Sequence, residues 1–333
     1  MTRTRPPSAG GSPGRVRVNA VVDGTLTGLE GDEALQRLPA LLAAPTTGVW
    51  VDLTEPTASQ IEAVGATLSL HPLIVEDVLE GNQRAKLEMT DGVVHIVLFA
   101  LERDVAAASF RASEIDIVLG LGFLLTVHEA SYDPFASHHL RGGNGTILAR
   151  GPDHLLWAIS DHIVDGYFPF LDDIGDAIDT VQDQVIQHAT PEALERLFGL
   201  KRQLIEIRRA ASPTREVFNQ LTNRDMTLID AEEVIYFRDV YDHVIRLTDE
   251  LDNFRELAAA TLDVYLTQVN NDLSRIMKRL TGVTVLLAGV GAVAGIFGMS
   301  EAKIEAGSFW VVAGAIVAGA AAGLVALRRI DWI

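Results

Sequence analysis

Six small or weakly polar residues, Thr281, Thr284, Ala288, Gly291, Gly295 and Gly298, recur at alternating spacings of three and four inside an uncharged stretch of sequence. That spacing puts them on one face of a helix, with Val283, Leu286, Leu287, Val290 and Phe297 elsewhere around it. Exposed carbonyls and hydroxyls on such a face could meet a hydrated ion, which would make it a pore wall. The same spacing suits close helix packing: Gly291 and Gly295 form a small-xxx-small pair, as do Gly319 and Gly323 further along. Spacing alone favours packing and leaves the pore wall open.

A second group is acidic. Asp165, Asp172, Asp176, Asp179 and Asp183 fall at helical spacing on one face, with Asp173 beside them. Carboxylate oxygens suit hard divalent cations, although such a stripe is ordinarily a solvated face. The 9 histidines have no HExxH or comparable spacing, and the chain has no GxxxxGK[ST] loop and no GxSxG elbow, so no catalytic residue is expected and the chain does not read as an enzyme. With 0 cysteines, disulfides and thiolate metal sites are excluded.

The small-residue face needs a helix in a bilayer to carry it. Residues 280–300 and 306–327 are uncharged runs of 21 and 22 residues, separated only by Glu301, Ala302, Lys303, Ile304 and Glu305. About 20 apolar residues cross the hydrocarbon layer, so the two runs predict a helical hairpin through a membrane. Arg275, Lys278 and Arg279 precede the first run and Arg328 and Arg329 follow the second. This basic bias places both flanks in the cytoplasm and the loop 301–305 outside. Neither run holds an ionisable residue, which fits a passive path better than a proton relay. One hairpin cannot enclose a path, so transport would require an oligomer with the first run on its axis.

The formal charge of the 333-residue chain is −18. From Ser274 onward six Lys or Arg oppose three Asp or Glu, a net +3, which leaves −21 for the rest and makes nucleic acid an unexpected partner. No apolar run with a basic flank opens the sequence, so no signal peptide is expected and the large N-terminal part is expected to be cytosolic.

Residues 1–15, rich in Arg, Pro, Ser and Gly, read as a disordered tail. β-rich runs follow at 16–22, 48–53, 93–101 and 115–127, with helical patterns at 33–42 and 59–79, which predicts a cytosolic α/β domain over 16–150. From 151 the pattern is helical, with breaks expected at Thr190-Pro191, Ser212-Pro213 and the polar stretch 222–230. The last helix is expected to run from about 231 to 300 as a stalk that becomes the first membrane helix, followed by the loop 301–305, a second crossing at 306–327 and a basic end at 328–333. Val240, Val244, Leu247, Leu251, Phe254 and Ala258 make a seam for lengthwise packing, either within the chain or between subunits.

Several segments resemble the CorA family of divalent-cation channels, in family order. They include Trp50-Val51-Asp52-Leu53, His71-Pro72-Leu73-Ile74-Val75-Glu76-Asp77, Gln83-Arg84-Ala85-Lys86, Ser212-Pro213-Thr214-Arg215-Glu216, Tyr236-Phe237-Arg238-Asp239-Val240-Tyr241-Asp242-His243, Leu262-Asp263-Val264-Tyr265-Leu266, Met277-Lys278-Arg279-Leu280-Thr281 and Ala294-Gly295-Ile296-Phe297-Gly298-Met299. The resemblance covers residues 16–333. It implies a homopentameric funnel in the inner membrane, with an α/β cytosolic domain, long stalk helices and two C-terminal transmembrane helices. Such a pore carries magnesium, cobalt or nickel down its gradient, and a relative, ZntB, carries zinc. On this likeness the small-residue face lines the pore. Ser274, Met277, Leu280, Thr281 and Thr284 would form the cytosolic neck, with Met277 and Leu280 as an apolar gate, and Ala288, Gly291 and Gly295 would stand above them. Glu76, Asp77 and Asp239 match acidic positions that hold regulatory divalent ions between subunits.

The departures from the family concern the expected permeation path. The signature Gly-Met-Asn is Gly298-Met299-Ser300 here, and the proline midway along the first membrane helix is Gly289. An Asn ring offers amide carbonyls to the shell of an incoming ion, whereas Ser offers a shorter hydroxyl. Glu301 and Glu305 would concentrate divalent cations at the mouth without choosing among them. The resulting expectation is inward magnesium transport. ZntB-like zinc uptake and a non-conducting membrane scaffold or cation sensor are the alternatives.

Overall fold

The computed structural model describes residues 14–81, 83–104, 109–142, 144–223, 226–298 and 306–329. Residues 1–13 of the expected tail, Met299, Ser300 and the loop 301–305 lie outside the described residues. The chain divides into two compact units, Met1–Asp179 with Leu197–Ala258 and Thr180–Arg196 with Ala259–Ile333.

The first unit opens with β1 (Arg15–Val22), β2 (Thr25–Glu30), α1 (Gly31–Ala43), β3 (Thr46–Thr54), α2 (Ala58–Thr67), α3 (Pro72–Glu80), β4 (Lys86–Thr90), β5 (Val93–Asp104), β6 (Ser109–Gly120) and β7 (Phe123–His128). Seven strands form one sheet in the order β2-β1-β3-β7-β6-β5-β4. Only the central β3 and β7 pair in parallel, in register Val49↔Phe123 to Thr54↔His128. β2 and β4 escaped the hydrophobic pattern because they are short edge strands with polar or exposed faces. Their signal was in the turns: Asp23-Gly24 and Asp91-Gly92 both carry positive φ, the backbone that two-residue hairpins require. The run 115–127 is two strands, reversed at Leu121-Gly122 with Gly122 at φ 77°.

Alternation sends β3 residues to opposite faces. Val49, Val51 and Leu53 join Leu38, Ile61, Val64, Ile74 and Val78 in one apolar core beneath α1, α2 and α3. Trp50 and Asp52 therefore face the other side, where Trp50 stacks on Phe135 at 4.3 Å. The expected helix over 59–79 is the pair α2 and α3. Ser69 at φ 55° breaks it, and α3 restarts with Pro72 in its first turn under His71, whose Nδ1 accepts the Leu73 N–H at 3.2 Å.

Two 3-10 turns, Pro134–Ala136 and His138–Gly142, lead to α4 (Asn144–Leu148), α5 (Pro152–Asp165), α6 (Phe168–Gln187), α7 (Pro191–Asn223), α8 (Val234–Gly298) and α9 (Ala306–Arg329). Asp165 closes α5, so it does not share a helix with Asp172, Asp176, Asp179 and Asp183 on α6; the chain turns at Gly166 and Tyr167 between them. Ser212-Pro213 does not end a helix, because α7 runs through it for 33 residues. Pro213 removes the N–H that would bond the Arg209 carbonyl, and the buried Thr214 hydroxyl donates to the Ala210 carbonyl at 3.0 Å beside the gap.

The seam on α8 is settled within the first unit. Val240, Val244, Leu247, Leu251 and Ala258 are all at most 1% exposed, and the Phe254 ring lies against Gly175 of α6 so closely that a Cβ there would sit 2.8 Å from ring carbons. Gly175→Leu is expected to destabilise the protein by about 1–3 kcal/mol through overpacking, read as a lower thermal midpoint of the full chain in detergent. A variant melting with the wild type would mean that Phe254 can swing away at no cost.

Candidate ion path and metal-binding side chains

In the second unit, α8 holds an 18-residue window apolar enough to cross a membrane, only 6% of which is buried. A soluble core helix would be mostly covered. α9, 24 residues long, has no charged residue before Arg328. Val285, Leu286, Gly289 and Val293 of α8 and Ala315, Gly319 and Gly323 of α9 line a groove of about 670 Å³. The Leu286 methyl comes within 3.4 Å of where a Cβ on Gly323 would stand, so a side chain there would be in van der Waals contact with α8.

Gly289 therefore belongs to the α9-facing side. At 3.6 residues per turn this side is rotated by about 140° from the stripe of Thr281, Thr284, Ala288, Gly291 and Gly295. Gly289 lines the groove but is itself exposed, and a Cβ added there would meet nothing within 4 Å. The stripe itself is exposed throughout, and a Cβ added at Gly291 or Gly295 would meet nothing within 4 Å. Packing among the described residues thus does not explain the small residues there. The Thr284 hydroxyl donates to the Leu280 carbonyl at 2.7 Å. Ser274 is exposed, and Met277 and Leu280 are 58% and 59% exposed.

An exposed apolar series begins before the uncharged run. Leu266, Leu273, Ile276, Met277 and Leu280 are each more than half exposed, at spacings that return to one helix face.

In the first unit, Asp77 on α3 is reached by the Lys86 ammonium at 2.5 Å and by the Gln83 side-chain amide at 3.4 Å, and Lys86 also contacts Glu88 at 3.0 Å. Partial burial pulls the Lys86 pKa down, but its hydrogen bonds to Asp77 and Glu88 outweigh this and raise it. Asp77, Glu88 and the buried His95 offer ligand atoms within 4.8 Å of one another. His95 in turn meets the equally buried Asp116 at 3.0 Å. Glu76 and Asp239 are exposed, and Asp239 joins no such group among the described residues. Asp77 and Asp239 share no ligand group of three among the described residues.

The Asp165 carboxylate lies 3.2 Å from His243 Nδ1 on α8. Burial raises its pKa and the neighbouring Asp161 carboxylate adds to the rise, while His243 opposes it. Asp172, Asp176, Asp179 and Asp183 are exposed, and the adjacent Asp173 pairs with Arg103 at 2.6 Å. The α6 stripe is mainly a solvated face.

A mixed sheet domain whose last helix carries an exposed, uncharged, bilayer-length segment defines a membrane protein with a large domain outside the lipid. A family model described as CorA-like Mg2+ transporter protein matches residues 46–329. The cobalt/magnesium transport protein CorA of Thermotoga maritima is 34% identical over 258 residues, covering 77% of this chain and 74% of that protein. CorA of Methanocaldococcus jannaschii is 22% identical over 86% of this chain and 91% of its own length. The complete structure of that magnesium transporter superposes with a TM-score of 0.78 over 96% of this chain and 98% of the other, at 20% identity. The chain belongs to the CorA-like family of divalent-cation transporters.

Proposed function

We propose that the protein is a homopentameric channel that passes magnesium passively into the cytoplasm. The observation that carries this reading is the α8 face that its own chain leaves bare: the small residues from Thr281 to Gly295, continued below by the apolar series from Leu266 to Leu280. An apolar series outside the lipid requires a partner, and a small-residue face on a membrane helix lets copies approach around an axis. Five copies place Met277 and Leu280 as an apolar ring that stops ions by dewetting, with Ser274 below, and set Gly298, Met299 and Ser300 at the outer mouth.

In this reading residues 16–150 and 151–230 lie in the cytoplasm, 231–300 form the stalk and first crossing, and 301–305 face outward. Residues 306–327 cross back through the inner membrane, so the basic 328–333 and both termini are cytosolic. Glu76, Asp77 and Asp239 hold a regulatory divalent ion between copies. Lys86 already neutralises part of the Asp77 charge, so the ion supplies the remainder.

Ion choice falls to the ring at Ser300. Flux of magnesium, cobalt and zinc into liposomes carrying the purified protein tests the reading. Magnesium entry is expected, with a preference weaker than in the Ser300→Asn variant, because an amide ring reaches further toward a hydrated ion than a hydroxyl. Zinc entry without magnesium entry would establish zinc uptake instead. No flux from protein of correct assembly would establish a scaffold or sensor.

A further inference from the structure

We infer that His138, His139 and Asp161 form a binding site for a divalent transition ion of the zinc type on the first unit, apart from the ion path. His139 Nε2 lies 2.7 Å from Asp161 Oδ2, and ligand atoms of His138, His139 and Asp161 all lie within 4.8 Å of one another. Ligands at the usual zinc distances stand roughly 3.3 Å apart around the ion, so modest side-chain rotation closes the set.

The surroundings favour this use over a plain ion pair. The His138 and His139 ring centroids are only 3.8 Å apart, and the Trp157 ring lies 4.4 Å from that of His139. Both imidazoles thus present a ring nitrogen beside the Asp161 carboxylate, the kind of donor set a shared metal ion uses. Asp161 is 7% exposed, a costly place for a carboxylate unless it is neutralised. Its other oxygen faces His243 Nδ1 of α8 at 3.9 Å, and Asp161, Asp165 and His243 again offer ligand atoms within 4.8 Å, so further donors stand behind the first three.

The donor chemistry sets the class of ion. Two imidazoles and one carboxylate suit zinc, cobalt or nickel, whereas magnesium keeps to oxygen ligands and much of its water. This ion is therefore distinguished from the transported magnesium by its ligands. The site does not depend on the transport reading.

Cobalt titration of the metal-free full-length protein in detergent is the test, followed by displacement with zinc. We expect a visible ligand-field absorption band equal to one ion per chain, removed by zinc and left in place by a large excess of magnesium. His138 is exposed, so His138→Ala should fold normally; it and His139→Ala should each weaken this component by about tenfold or more. Circular dichroism and thermal melting of the metal-free variants check the fold. Cobalt bound without such a band, a band displaced equally well by magnesium, or wild-type affinity in a folded His138→Ala protein would each overturn the site. Because binding is read directly, these outcomes stand whether or not the protein conducts.

Discussion

Asp239→Ala is expected to keep the transporter conducting at internal magnesium concentrations that close the wild type. Asp239 is exposed on α8 and Asp77 is 27% exposed on α3, yet one chain does not join them in a ligand group. In the proposed pentamer they meet across neighbouring copies, where two carboxylates repel until a divalent ion bridges them. That ion then favours the closed arrangement, and the coupling between ion and pore is a difference in affinity for two states. Removing Asp239 takes away one of the two carboxylates at every interface without adding a charge. The internal magnesium giving half-inhibition should rise about 5- to 150-fold, the range of ordinary allosteric couplings. Flux or current measured against fixed internal magnesium decides it; inhibition identical to the wild type removes Asp239 from the mechanism.

Asp52→Ala should lower the thermal midpoint of the protein by about 10 °C, corresponding to the roughly 3–5 kcal/mol lost when one partner of a buried charged network is removed. Asp52 is completely buried on β3. Its Oδ1 accepts from the Thr126 hydroxyl at 2.7 Å and faces His128 Nε2 at 2.9 Å, both on the parallel neighbour β7. The Trp50 indole N–H donates to the same Thr126 hydroxyl at 3.0 Å, so one carboxylate terminates a chain of hydrogen bonds across the middle of the sheet. Alanine strands the hydroxyl and the imidazole in a space closed to water. Asp52→Asn keeps an acceptor and should recover part of the loss. Equal midpoints for Asp52→Ala and the wild type would mean that the network contributes nothing.

Much of the architecture was legible in the chain, and for identifiable reasons. Long uncharged stretches and a seam repeating every three or four residues are local signals, so residues 280–300 and Val240 to Ala258 could be read directly. Edge strands carry little hydrophobic pattern, and β2 and β4 betrayed themselves only through Asp23-Gly24 and Asp91-Gly92. Pro213 misled because a proline is a local obstacle, whereas the continuity of α7 depends on tertiary packing that buries Ala210, Ala211, Thr214, Val217 and Phe218. The cluster of His138, His139, Asp161 and His243 had no readable spacing. Its members come from a 3-10 turn, α5 and α8, and the adjacent pair His138-His139 was the only local hint.

The sequence by itself determined that this chain carries a membrane-length helix, that a face of small residues runs along it, and that motifs of its family stand in order along its length. Composition and periodicity suffice there because hydrophobic length and helical spacing act over neighbouring residues. Only the tertiary structure decided which way each side of α8 faces. It turned Gly289 toward α9, buried the Val240 to Ala258 seam against its own chain, and left Thr281 to Gly295 bare. It likewise placed Lys86 on Asp77 and His139 and His243 beside Asp161, because contacts between residues distant in sequence are fixed by how the elements pack.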